Sequence, residues 1–242
     1  MTEASTEHRP LAGRVALVTG SSRGIGAATA QALAAAGAHV VLTGRTVKAL
    51  ETIDDAIHDA GGTATIAPLD LAEGDSIGRL ATAVAERWGK LDILVLNAAM
   101  LPTLTPVTQI PPKEFSQAIT LNLLATQAML GAFDPMLKRS EAGRIVGLTS
   151  SVGASPRAYW GAYGATKAAF DCLLQAYAQE VEKISNVKVA IVDPGATRTE
   201  MRAKAYPGED PETLKAPEVV AQYILQLVRS EFATGQRTRV DD

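Results

Sequence analysis

Tyr163 and Lys167 stand four residues apart in Ala162-Tyr163-Gly164-Ala165-Thr166-Lys167, so on a helix they share one face. A free tyrosine ionises near ~10 and is a poor acid–base group at neutral pH. A neighbouring ammonium stabilises the phenolate and draws that value toward the working range. The pair suits proton transfer to or from an oxygen, although the spacing alone is common in helices. A second constellation follows an apolar run near the start: Gly20-Ser21-Ser22-Arg23-Gly24-Ile25-Gly26. Glycines there permit a tight turn and close backbone approach, and the N-terminus of a following helix offers N–H groups to a phosphate. The spacing is G-x-x-x-G-x-G, not G-x-G-x-x-G, and a loop that only needs positive φ looks similar.

A third observation concerns the end of the second apolar run. Dinucleotide-binding sheets usually carry an acid there, for the ribose 2′-hydroxyl. This chain reads Thr43-Gly44-Arg45-Thr46, with no carboxylate. Arg45, helped by Arg23, suits a 2′-phosphate, while two solvated arginines are the plain alternative. The cofactor expected is therefore NADP(H), with NAD(H) as the alternative.

The elements that must position these residues alternate along the chain. Strand-like runs fall at 15–19, 40–43, 64–69, 91–96, 144–148 and 187–192, with a short one at 238–240. Helical patterns fall between them: an Ala-rich stretch at 24–36 with Gly37 at its C′ position, and one capped by Thr46 with Leu50, Ile53 and Ile57 on its apolar side. Ile77, Leu80, Val84 and Trp88 form a third stripe. A long helix starts near Pro111-Pro112 and ends or kinks at Pro135; others cover 158–181 and 218–228. The alternation predicts an α/β fold: a single Rossmann-like, doubly wound parallel sheet with helices on both faces. One domain spans residues 11–242 behind a disordered segment, 1–10. Arg202 to Pro217 shows no pattern and reads as a mobile loop, either a substrate flap or plain surface.

Composition excludes several classes. Hydrophobic residues at 47% and charged residues at 20% are globular values, and a net charge of −3 offers no basic stripe for nucleic acid. No apolar run is long enough to span a bilayer. The lone Cys172 excludes an internal disulfide, points to a cytoplasmic setting, and reads as a small buried hydrophobe. His8, His39 and His58 do not cluster, so no metal is expected.

Taken together, the glycine loop, Asp70-Leu71, Asn97-Ala98, Asn122, Thr149-Ser150-Ser151, Tyr163 with Lys167, and Pro194-Gly195 with Thr199 resemble the short-chain dehydrogenase/reductase family, in particular its 3-oxoacyl-reductase-like members. The resemblance runs from about Leu11 to Val240. It implies Tyr163 as general acid or base and Ser150, thirteen residues earlier, as hydrogen-bond partner of the substrate oxygen. It implies Lys167 on the nicotinamide ribose and Asn122 holding a relay water. Cofactor contacts would come from Gly20, Ser22, Arg23, Gly24, Ile25, Gly26, Arg45, Asp70, Leu71, Asn97, Ala98, Tyr163, Lys167, Pro194, Gly195 and Thr199. Leu96 and Ala99 replace the family's Asn and Gly around Asn97-Ala98, and the chain stops at Asp241-Asp242 without the usual glycine-rich tail.

The implied activity is reduction of a ketone or 3-oxoacyl-type carbonyl, a small-molecule partner. An NAD-dependent secondary-alcohol dehydrogenase and a non-catalytic cofactor-sensing module are the alternatives. Met100, Leu101, Tyr159, Trp160 and Met201 are candidate pocket residues that hint at an apolar substrate. A homotetramer or homodimer is expected through two long helices, with Ala125, Ala128 and Leu130 on one and Ala168, Leu173 and Ala176 on the other.

Overall fold

The computed structural model describes residues 9–241. Most of the expected disordered segment, residues 1–8, lies outside them, and Arg9 and Pro10 enter a turn, with Arg9 O accepting from Ala12 N–H at 3.0 Å. The strands are β1 Val15–Val18, β2 His39–Gly44, β3 Thr63–Pro68, β4 Ile93–Leu96, β5 Arg144–Leu148, β6 Lys188–Asp193 and β7 Gln236–Arg239. All neighbours pair in parallel, in the order β3-β2-β1-β4-β5-β6-β7. The order reverses between β1 and β4, which opens a crevice at the carboxyl ends of those strands.

The helices are α1 Gly24–Ala35, α2 Val47–Asp59, α3 Ser76–Trp88, α4 Pro112–Ile119, α5 Ala125–Lys138, α6 Ser151–Ala154, α7 Gly161–Val181, α8 Glu200–Ala205 and α9 Pro217–Arg229. Central strands are buried on both faces, which is why they read as unbroken apolar runs rather than alternating ones. In β1, Val15 and Leu17 join the core under α3, α5 and α7, while Ala16 and Val18 join the core under α1, α2 and α9. Gly147 in β5 lets α7 lie close: a Cβ there would sit 2.2 Å from Leu174 Cδ1.

Several expectations change. Thr46 occupies the N-cap of α2, but its side chain makes no capping bond; its backbone carbonyl takes Ala49 and Leu50 N–H instead. Pro135 does not end its helix, which runs on to Lys138. The carbonyl that loses its donor there is that of Gly131, and both residues are exposed, so water can take the vacant place. Arg202 to Pro217 is not patternless: α8 occupies its start, Arg202 forks onto Glu209 at 2.5 and 2.6 Å, and Thr197 bridges to Lys215. Cys172 is exposed, on the outer side of α7. Ala125 and Leu130 are core residues, so the outward side is formed by Gln127, Gly131 and Pro135 of α5 and by Leu124 just before it.

Candidate active site

The glycine loop joins β1 to α1. Gly20 has φ +65°, and Gly26 lies so close beneath it that a Cβ would meet Gly20 O at 2.2 Å. The cradle is braced from β4. Asn97 Nδ2 donates to Thr19 O at 2.8 Å and Gly20 O at 3.1 Å, and Thr19 Oγ1 accepts from Asn97 N–H and Ala98 N–H. At the N-cap of α1, Arg23 has an extended backbone and no side-chain cap, so the helix's first N–H groups are left to an external anion. Thr19 was not among the expected site residues; its place at the head of the loop was the available signal.

Arg45 follows β2 immediately. Its guanidinium is 73% exposed and 3.9 Å from Asp70, which follows β3 and also accepts Ala72 N–H. Arg23 in turn pairs with Glu200 at the start of α8, at 2.5 Å. Each arginine therefore has an acidic partner. Ile25 and Leu71 pack partly buried against the two cores and Ser22 beside Gly44, while Pro194, Gly195 and Thr199 follow β6, with Thr199 capping α8 through Arg202 N–H.

Ser150 follows β5 and caps α6, its Oγ accepting from Val152 N–H at 3.5 Å. Tyr163 and Lys167 lie on the buried side of α7. The Tyr163 hydroxyl reaches Met201 Sδ at 3.9 Å, and Lys167 Nζ donates to Leu148 O at 2.6 Å. Burial, seconded by the charge of Asp193, pushes the Tyr163 phenol above its ordinary range. Burial also draws the Lys167 ammonium down to about 8, against the opposing pull of Asp171. The depressed tyrosine expected from the Tyr–Lys spacing is thus not what the protein alone produces: burial and the charge of Asp193 both disfavour the phenolate.

Asn122 sits in a π-helical turn, 120–124, between α4 and α5. Its side chain takes Met100 N–H at 2.8 Å and gives to Met100 O and Thr166 Oγ1, both at 3.0 Å. Thr126 Oγ1 donates to its backbone carbonyl. Asn122 therefore braces the loop after β4 against α7, and Thr166 is a partner that sequence reading missed. Leu96 joins the apolar cluster holding Ala125 and Met129. Ala99 beside it is half-buried.

Among the pocket candidates, Leu101, Trp160 and Met201 cluster with Tyr163, together with Val152, Leu104 and Ala205. Tyr159 instead faces solvent, 60% exposed with φ +72°, and Met100 is held through its backbone by Asn122. Among the described residues no group of three or more His, Cys, Asp or Glu is placed to hold a metal ion, and no helix is long and apolar enough to cross a membrane.

An open parallel sheet whose expected site residues gather after its strand ends, with an anion cradle at β1–α1, defines a nucleotide-binding α/β protein. Residues 14–210 match the family model of the short chain dehydrogenases. The oxidoreductase YciK of Escherichia coli K12 is 35% identical over 218 residues, covering 89% of this chain and 86% of the relative. A short chain dehydrogenase structure from Pseudomonas syringae superposes with TM-score 0.94 at 42% identity, covering both chains in full. Another from Escherichia coli CFT073, complexed with NADPH, gives TM-score 0.92 at 34% identity, covering 98% of this chain and all of that one. The chain belongs to the short chain dehydrogenase family and is an oxidoreductase.

Proposed function

We propose that the protein is an NADP(H)-dependent reductase of ketones or 3-oxoacyl-type carbonyls, working as one catalytic domain. The observation that carries the reading is a buried Tyr163 on the same helix face as Lys167, clustered with apolar groups, with Ser150 on the α6 turn packed against that helix. The residues present fit a dinucleotide: the cradle has no room for a side chain at Gly26, the first N–H groups of α1 lack a side-chain cap, and Arg45 and Arg23 are exposed cations at the second-strand side. The NADPH complex of the CFT073 relative supports the same choice.

When bound, the nicotinamide supplies or accepts the hydride. Ser150 Oγ holds the substrate oxygen, and the Tyr163 hydroxyl gives it a proton in reduction or takes one in oxidation. Lys167 holds the ribose hydroxyls and, as an ammonium, favours the phenolate. Leu101, Trp160 and Met201 exclude water and favour an apolar substrate. Met201 Sδ lies against the Tyr163 hydroxyl, so its flexible side chain turns aside when substrate enters. The test is a panel of ketones and 3-oxoacyl thioesters with NADPH oxidation followed by absorbance. NADPH-dependent turnover is expected; oxidation of secondary alcohols with NAD alone, and no carbonyl reduction with NADPH, would replace the reading.

We also propose a homodimer or homotetramer formed through the exposed sides of α5 and α7, where Leu124, Ala168, Cys172 and Ala176 lie outward. Light scattering at micromolar concentration tests it, and a monomer would end it. An exposed, unpaired Cys172 fits a reducing, cytoplasmic compartment.

A further inference from the structure

Arg237 of β7 lies beside Ile191 of β6 and reaches across the sheet toward α7. Its Nε donates to Asp171 Oδ2 at 3.0 Å, and its Nη2 donates to the backbone carbonyl of Ser150, also at 3.0 Å. One planar group therefore holds two elements in a fixed direction. One is the turn that carries Ser150; the other is the helix that carries Tyr163 and Lys167. We propose that Arg237 is a positioning residue, a clamp that sets Ser150 against Tyr163 through Asp171, and this rests on the carbonyl-reductase reading above.

Three observations support the clamp. Asp171 is buried one turn beyond Lys167 on α7, and its Oδ1 has no partner. The guanidinium that meets Asp171 is partly buried, so the pair sets a direction as well as a charge balance. The turn and the helix already touch backbone to backbone: a Cβ on Gly164 would lie 2.9 Å from Val152 O, and one on Gly153 would lie 3.0 Å from Lys167 C. Small rotations of α6 would therefore displace Ser150 relative to Tyr163, and the Arg237 bond to Ser150 O, beside that from Gly153 N–H, opposes them. Finally, the negative charge of Asp171 favours the charged form of Lys167. The clamp thus bears on Ser150 directly, on Lys167 through Asp171, and on Tyr163 through α7.

The experiment compares Arg237→Met, Arg237→Lys, Asp171→Leu and Asp171→Asn with the intact chain. It reads kcat, the NADPH dissociation constant, and amide exchange across residues 150–154. Misplacement on the scale of 1 Å can cost on the order of 10²-fold in rate. Arg237→Met should lower kcat about 10–100-fold, leave NADPH binding within about twofold, and speed exchange in that turn; Asp171→Leu, which also removes the charge beside Lys167, should lower kcat at least as far and speed the same exchange. Asp171→Asn keeps an acceptor for Nε but loses the charge beside Lys167, so it should keep wild-type exchange in that turn and lose less kcat than Asp171→Leu. The double variant Arg237→Met with Asp171→Leu should be no slower than the worse single, since both remove one device. Unchanged kcat in Arg237→Met, or losses that multiply in the double variant, overturn the clamp. Where Arg237→Met does not fold, Arg237→Lys keeps the charge without the fork and should show the same loss in smaller measure; wild-type kcat there overturns the clamp. A wild-type chain with no Tyr163-dependent turnover sinks the reductase reading separately, and the exchange rates then decide the clamp: faster supports it, unchanged overturns it.

Discussion

Arg45→Ala should weaken NADPH binding about tenfold and leave NADH within about twofold. The magnitude follows from the surroundings of the side chain. Its guanidinium is 73% exposed and only loosely matched to Asp70 at 3.9 Å. An exposed pair of that kind is worth roughly 0–1 kcal/mol, so little is lost when the arginine turns to a phosphate. A charge-assisted hydrogen bond contributes about 1.5–3 kcal/mol, and exposure places this one at the lower end. At about 1.4 kcal/mol per tenfold, the loss is close to one decade. The effect should shrink when salt is raised toward ~1 M, where the screening length falls to about 3 Å. Gly44→Asp extends the test. A Cβ on Gly44 would meet Leu50 Cδ2 at 3.4 Å and Ser22 at 3.6 Å, which is ordinary contact, so the backbone tolerates it. The new carboxylate should weaken NADPH further and strengthen NADH. Fluorescence titration of the three proteins with both cofactors is the assay. Equal loss of NADPH and NADH in Arg45→Ala refutes the reasoning and moves the NAD reading to first place.

Other outcomes follow from buried groups. Lys167 ionises near 8 in the fold against 10.5 when free, so its charged form costs stability. The difference is about 3 kcal/mol, present in full below pH 8 and relieved as pH rises to 10.5. Lys167→Met should therefore melt no lower than wild type at pH 7, and the gap should close toward pH 10; a gap that widens with pH contradicts this. Gly26→Ala forces a Cβ onto Gly20 O and should destabilise by about 1–3 kcal/mol while abolishing NADPH binding, read by melting and titration. Asn122→Ala strands Met100 N–H and Met100 O and should cost about 2–4 kcal/mol in urea unfolding, with turnover reduced as the loop after β4 loosens.

The sheet was legible because buried parallel strands carry dense apolar runs, and part of the candidate site because the glycine loop, Arg45, Asp70, Asn97 and Ser150 follow those runs closely. What failed to show had other causes. Pro135 stays inside its helix because the orphaned carbonyl faces water, a matter of facing rather than residue type. The order in Arg202 to Pro217 comes from a charged fork and a cap, which leave no hydrophobic period. Cys172 and Asp171 exchange the burial their chemistry suggests: the thiol is outside, and the carboxylate is inside because Arg237, distant in sequence, reaches it. The Tyr163–Lys167 spacing placed both groups on one face correctly, but spacing says nothing of desolvation, which sets their protonation in the free protein.

The central claim is that Tyr163 moves the proton that accompanies hydride transfer. Tyr163→Phe keeps the ring that packs with Trp160 and Leu101 and removes only the hydroxyl. General acid–base catalysis contributes about 10²–10⁴-fold, so kcat for the best carbonyl substrate should fall by at least that order, while NADPH binds as before. Turnover within a few-fold of wild type, with the same substrate and saturating NADPH, would contradict the account.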